Sequence, residues 1–83
     1  MPKQIHLYTL STCGWCKRAK RFLEDNKVDA QITDVDLLEG EEKETARAEV
    51  AKHNPRRSYP TLVIDDQVIV GYDEDRMKEL LDL

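Results

Sequence analysis

Two runs of strand-like residues, 4–10 (QIHLYTL) and 30–37 (AQITDVDL), enclose a segment whose apolar residues recur with a helical period. No other feature restricts the fold as much. The gap of about twenty residues suits a right-handed crossover between parallel strands and is far longer than a hairpin needs. In the first run Ile5, Leu7 and Thr9 fall on one face and Tyr8 and Leu10 on the other, which predicts a central strand covered on both sides. Trp15, Ala19, Phe22 and Leu23 then fall at i, i+4, i+7 and i+8, predicting a helix from Cys13 to about Asn26, with Asn26 as its C-terminal cap. Asp34 and Asp36 interrupt the second run. That polarity suits an exposed edge strand, where charge discourages pairing with another chain.

The rest of the chain reads as clearly. Residues 41–54 are charged and rich in helix formers, with Ala46 and Val50 as a thin apolar stripe and Asn54-Pro55 as the stop. Residues 61–64 (TLVI) and 68–70 (VIV) are β-branched runs separated by Asp65-Asp66-Gln67, predicting an antiparallel hairpin whose turn lacks the favoured glycine. Asp73 reads as a helix N-cap, with Met77, Leu80 and Leu81 docking the last helix. The order is β-α-β-α-β-β-α, a single α/β domain over residues 1–83 without repeats or linkers.

Composition narrows the functional classes. A net charge of −4 argues against general nucleic-acid binding, so the basic run Lys17, Arg18, Lys20, Arg21 is local: a wet helix face or a functional field. No apolar stretch approaches the ~20 residues that cross a bilayer, and Met1-Pro2-Lys3-Gln4-Ile5 lacks the apolar core of a signal peptide. A cytoplasmic protein without a membrane partner is expected, and in a reducing compartment a C-x-x-C pair reads as redox or metal chemistry.

Both cysteines lie in Cys13-Gly14-Trp15-Cys16, where the first strand gives way to the basic helix. A disulfide closing so short a loop restricts the unfolded chain very little, so the pair calls for a chemical explanation. If the helix begins at Cys13, its thiol meets free backbone N–H groups and the positive end of the helix dipole, both of which favour thiolate. Lys17, Arg18 and Lys20 are expected to add to that field. Cys13 is then the exposed attacking sulfur. Cys16, one turn on, is expected to be more buried, nearer its ordinary pKa, and on the same side for ring closure. Cys13 would attack a substrate disulfide, and Cys16 would attack Cys13 to release reduced product. As a zinc site the motif supplies two of four usual ligands, and His6 and His53, the candidates to complete it, read better as satisfied or solvated histidines.

Tyr8-Thr9-Leu10-Ser11-Thr12-Cys13-Gly14-Trp15-Cys16 is similar to the Tyr-Thr-x-x-x-Cys-x-x-Cys segment of glutaredoxins. Ser58-Tyr59-Pro60 falls where that family carries its cis-proline loop, and Gly71-Tyr72-Asp73 resembles the turn that opens its last helix. Over nearly its whole length the chain resembles a glutaredoxin, within the thioredoxin-fold superfamily. The resemblance implies a thioredoxin-like, four-stranded mixed sheet flanked by three helices. It implies a cis Pro60 facing the cysteines, with the Tyr59 backbone free to pair with an extended substrate. Trp15 would wall a groove shared with Gly71 and Tyr72, Asp73 would hold the glutathione amino group, and Arg56 would face a glutathione carboxylate. No tightly bound cofactor is implied. Glutathione or another low-molecular-weight thiol would be a co-substrate of a monomer acting on disulfide-containing proteins.

Three positions depart from the family pattern. Leu10 stands where glutathione-using members usually carry lysine, and Val70-Gly71 replaces the usual Gly-Gly. Both changes weaken a glutathione site. The segment Gly71-Tyr72-Asp73-Glu74-Asp75-Arg76-Met77 also resembles the small redoxins that serve ribonucleotide reductase, which are typically recharged by a thioredoxin-type reductase. Gly14 replaces the proline common in dithiol glutaredoxins. Some members without that proline bridge a [2Fe–2S] cluster between two monomers, using Cys13 of each and two thiol cofactors, and this alternative stays open.

Overall fold

The computed structural model describes residues 4–83; the expectation of no signal-type segment rests partly on residues 1–3, which lie outside them. The elements are β1 (Ile5–Thr9), α1 (Gly14–Asp25), β2 (Gln31–Asp34), a single 3₁₀ turn (Val35–Leu37), α2 (Gly40–His53), β3 (Thr61–Ile64), β4 (Gln67–Val70) and α3 (Glu74–Leu81). They form one sheet in the order β2-β1-β3-β4. Leu7 stands opposite Ile32 in the parallel β1–β2 pair and opposite Leu62 in the antiparallel β1–β3 pair. The α1 crossover therefore leaves β1 central, as its two-sided apolar pattern requires. This mixed four-stranded sheet with three helices is the thioredoxin-like topology.

Alternation along the strands sends side chains to opposite faces, and each face has its own core. On one side Leu7, Leu62, Ile64 and Ile69 pack with Ala19, Phe22 and Leu23 of α1 and Met77 of α3. On the other, Tyr8 and Val63 pack with Val35 and with Ala46 and Val50 of α2. Leu7 and Leu23 are fully enclosed, each contributing about 1.5–3 kcal/mol through burial.

Two expectations need correction. The second strand is expected through residue 37 but ends at Asp34, which still pairs with Thr9 in the ladder, before Val35–Leu37 forms the 3₁₀ turn. Asp34 Oδ1 accepts from Thr9 Oγ1, and Asp36 accepts the backbone N–H and hydroxyl of Ser11, so the chain turns and Val35 drops into the second core. Trp15 has the helical spacing of the α1 core stripe yet is 57% exposed, since it sits at the first turn, beyond the edge of the packed face. Asn54 is the residue after α2, and it is buried. In the β3–β4 turn Asp65 adopts a left-handed φ of 53°, which aspartate tolerates better than most residues and which replaces the absent glycine.

Candidate active site

The strand-to-helix turn is assembled by side chains from elsewhere in the fold. Ser11 is fixed by Asp36, and the Cys13 N–H donates to Leu10 O at 3.1 Å, which delivers Cys13 to the N-cap of α1. Cys13 has extended geometry (φ −87°, ψ 122°), and its sulfur accepts the backbone N–H of Cys16 at 3.3 Å. The Cys13 sulfur thus takes the place that a Ser or Asp oxygen usually holds at a helix start. Both cysteines are free thiols; Cys13 is partly exposed and Cys16 fully buried.

Their environments push them in opposite directions. Burial alone would raise the Cys13 thiol, but hydrogen bonds from the Cys16 thiol and from the N–H groups of Cys16 and Trp15 outweigh it and hold Cys13 below its ordinary value. Burial first, then the hydrogen bond to Cys13, pushes Cys16 up to about 12, against opposing help from the Leu10 N–H and from Lys20. The expectation that Cys16 would stay near its ordinary value is therefore corrected. Desolvation and the neighbouring sulfur both disfavour a second negative charge. The expected help for Cys13 from the basic run is corrected too. The groups that hold Cys13 down are hydrogen-bond donors of Cys16 and Trp15, with no contribution from Lys17, Arg18 or Lys20; Arg18 lies over the Trp15 ring at 5.2 Å and Lys20 pairs with Asp34 at 2.7 Å.

Five residues singled out in the sequence converge beside the thiols: Trp15, Tyr59, Pro60, Gly71 and Tyr72 line one cavity of about 210 Å³. The Tyr59–Pro60 bond is cis, and the Tyr59 main chain lies outside the β3 ladder, which begins at Thr61. Gly71 donates its N–H to Pro60 O at 2.8 Å, joining the last turn to the proline loop. Its φ of 81° favours glycine even though a Cβ there would meet nothing within 4 Å. Tyr72 stacks on Trp15 at 5.8 Å and meets Phe22 edge-on at 6.5 Å, so the groove wall stands on the α1 core.

Asp73 caps α3, its Oδ1 accepting from the Arg76 N–H at 3.1 Å. Arg56 is exposed and lines neither this cavity nor the next one. Its neighbour Arg57 does line the next: Leu10, Val35, Asp36, Lys43, Arg47, Arg57 and Tyr59 surround a depression of about 230 Å³ that shares Tyr59 with the groove. Among the described residues Lys43, Arg47 and Arg57 enter no ion pair. This cluster was not anticipated. The only hint is the one-turn spacing of Lys43 and Arg47 beside the Ala46–Val50 stripe.

Asn54 was also missed. Its Nδ2 donates to Ser58 O, Ser58 Oγ and Thr61 Oγ1 at 3.1 Å each, and its Oδ1 accepts the Arg56 N–H, so it shapes the whole proline loop. Among the described residues no group of three or more His, Cys, Asp or Glu converges on a metal position. His6 Nε2 bonds Thr33 Oγ1 at 2.8 Å, and His53 lies 3.8 Å from Glu49. Nor is any described helix long and apolar enough to cross a membrane.

The glutaredoxin family pattern matches residues 5–69 of this chain. The chain is similar to a probable glutaredoxin of Synechocystis, 38% identical over 86% of this chain and 76% of that protein. It is also similar to a glutaredoxin-like 8.6 kDa protein from the rubredoxin operon of Clostridium pasteurianum, 30% identical over 94% and 97% of the two chains. Among solved structures, the methanoredoxin of Methanosarcina acetivorans superposes with a TM-score of 0.93 at 44% identity, covering 96% of this chain and 85% of the other.

Proposed function

The chain belongs to the glutaredoxin family of thiol–disulfide oxidoreductases, and from that premise we propose that Cys13 and Cys16 cycle between dithiol and disulfide to reduce protein or low-molecular-weight disulfides. The observation that carries this reading is the unequal pair itself: one partly exposed sulfur stabilised as thiolate by the Cys16 N–H, and a buried thiol one turn behind it. Cys13 thiolate attacks a substrate disulfide; the Cys13–substrate S–S bond forms as the substrate's own S–S bond breaks. Cys16 then attacks Cys13, giving the Cys13–Cys16 disulfide and releasing the second substrate sulfur as a thiol. Two electrons pass from protein to substrate. An extended substrate backbone would pair with Tyr59 while its side chains rest against Trp15 and Tyr72.

For recharging we favour an anionic low-molecular-weight thiol such as glutathione, acting in a reducing cytoplasm. The lysine absent at Leu10 is offset by Lys43, Arg47 and Arg57 on the far side of Tyr59, three cations suited to a carboxylate. Asp73, beside Tyr72, is an acceptor for an amine, because capping engages its Oδ1 with a single N–H. The test is to recharge the oxidised protein in parallel with glutathione plus its reductase and with a thioredoxin-type reductase. Faster turnover with glutathione, lost when Arg47 and Arg57 become Ala, supports the reading. Turnover with the reductase alone refutes it.

A further inference from the structure

Ring closure poses a problem the cap geometry does not solve: the buried Cys16 must become a nucleophile beside a sulfur that has just reacted. Of the four cations on α1, Lys17, Arg18 and Arg21 are exposed, while Lys20 is drawn partly inward. It lies four residues after Cys16, on the same side of the helix. Its Nζ is 2.7 Å from Asp34 Oδ1, which also accepts from Thr9 Oγ1 at 2.5 Å. Thr9 is fully buried and precedes Leu10, whose N–H reaches Cys16 Sγ at 3.5 Å. A continuous set of contacts thus runs from the ammonium group through β2 and β1 to the buried sulfur.

We infer that Lys20, anchored by Asp34 and Thr9, is a positioning residue for ring closure, holding positive charge where Cys16 becomes the attacking thiolate. This deepens the dithiol reading above and rests on it. The charges facing Cys16 are Cys13 and Lys20 on its own helix and Tyr59 from the proline loop, and only Lys20 among them is a cation. Asp34 is held as carboxylate first by Lys20 and then by Thr9, which keeps it an anchor and a poor base. In the balanced step the Cys16 S–H loses its proton, the Cys13–Cys16 bond forms, the Cys13–substrate bond breaks, and the departing sulfur ends as a thiol.

The reduced full-length protein is mixed with neutral dipyridyl disulfide in a stopped-flow instrument. The first thiopyridone released reports attack by Cys13, and the second reports closure by Cys16. With Lys20→Met the first phase should stay within about twofold. The second should slow by about threefold, since each unit by which the Cys16 pKa rises costs roughly threefold after the gain in nucleophilicity. Between pH 7 and 9 the second-phase rate should rise with pH in both proteins, as two parallel displaced lines, and Lys20→Arg should restore it. An unchanged second phase in Lys20→Met, or an equal fall of both phases, overturns the inference. Absence of a second phase in the unsubstituted protein overturns the dithiol reading itself.

Discussion

The backbone N–H of Cys16 is directed at the sulfur of Cys13, 3.3 Å away, so the residue that will close the ring also helps ionise the residue that opens the reaction. The two cysteines are therefore not exchangeable. Cys13→Ser should lower disulfide reductase activity by about a thousandfold or more, because a serine hydroxyl stays protonated where the thiolate acted. Cys16→Ser should accumulate the Cys13–substrate mixed disulfide, visible by intact mass, and turn over only when an external thiol resolves it. Comparable activity of the two variants would contradict this assignment.

Asn54 holds the proline loop through three hydrogen bonds from one amide. Asn54→Ala removes those bonds while Thr61 Oγ1 still donates to Ser58 O at 2.8 Å, and it should cost about 1–2 kcal/mol in urea unfolding. Because Tyr59 and Pro60 lie between those partners, the variant should also raise KM for a peptide disulfide. A stability loss under about 0.5 kcal/mol would show that the loop holds itself.

Two glycines with equally open surroundings should respond with opposite sign. Gly14 is the first residue of α1, nothing lies within 4 Å of a Cβ there, and the preceding Cys13 already has the extended ψ of 122° that proline demands. Gly14→Pro should stabilise the protein by about 0.5–1 kcal/mol. Gly71 has φ 81°, so Gly71→Ala should destabilise by about 1 kcal/mol or more. Urea midpoints at constant m-value decide both.

Asp34 contributes stability with a defined pH window. Lys20 first, and Thr9 second, lower its folded pKa, so its contribution is complete above the unfolded value of ~3.9 and is lost as pH falls through the folded one. Asp34→Asn should be less stable than the unsubstituted protein by about 1 kcal/mol at pH 7, and the two unfolding curves should converge once the pH has fallen below the lowered folded pKa. A gap that persists in acid would assign the effect to packing.

Much of this was legible in the sequence because the informative patterns are local. Period-two and helical spacings located β1, α1, β3 and α3, Asp73 caps the last helix as its position suggests, and the Tyr59–Pro60 bond is cis. What escaped depends on contacts between distant segments. Asp34 and Asp36 read as edge charges until Thr9, Ser11 and Lys20 are placed beside them. Asn54 reads as a helix stop because nothing nearby shows that it is buried, and Trp15 keeps helical register where the packed face has already ended. Arg56 and Arg57 are adjacent and chemically alike; only the left-handed φ of 54° at Arg57 distinguishes them, with Arg57 alone lining the depression beside Tyr59.

The most direct measurement is an ultraviolet thiolate titration of the reduced protein, repeated on Cys16→Ala and Cys13→Ser. The expected result is two separated ionisations, with Cys13 below the ordinary ~8.5 and Cys16 far above it. Cys13 should move upward when the Cys16 thiol is removed, because that hydrogen bond helps stabilise its thiolate. A single two-thiol step near ~8.5, or Cys16 ionising before Cys13, would contradict the division of labour between the two sulfurs.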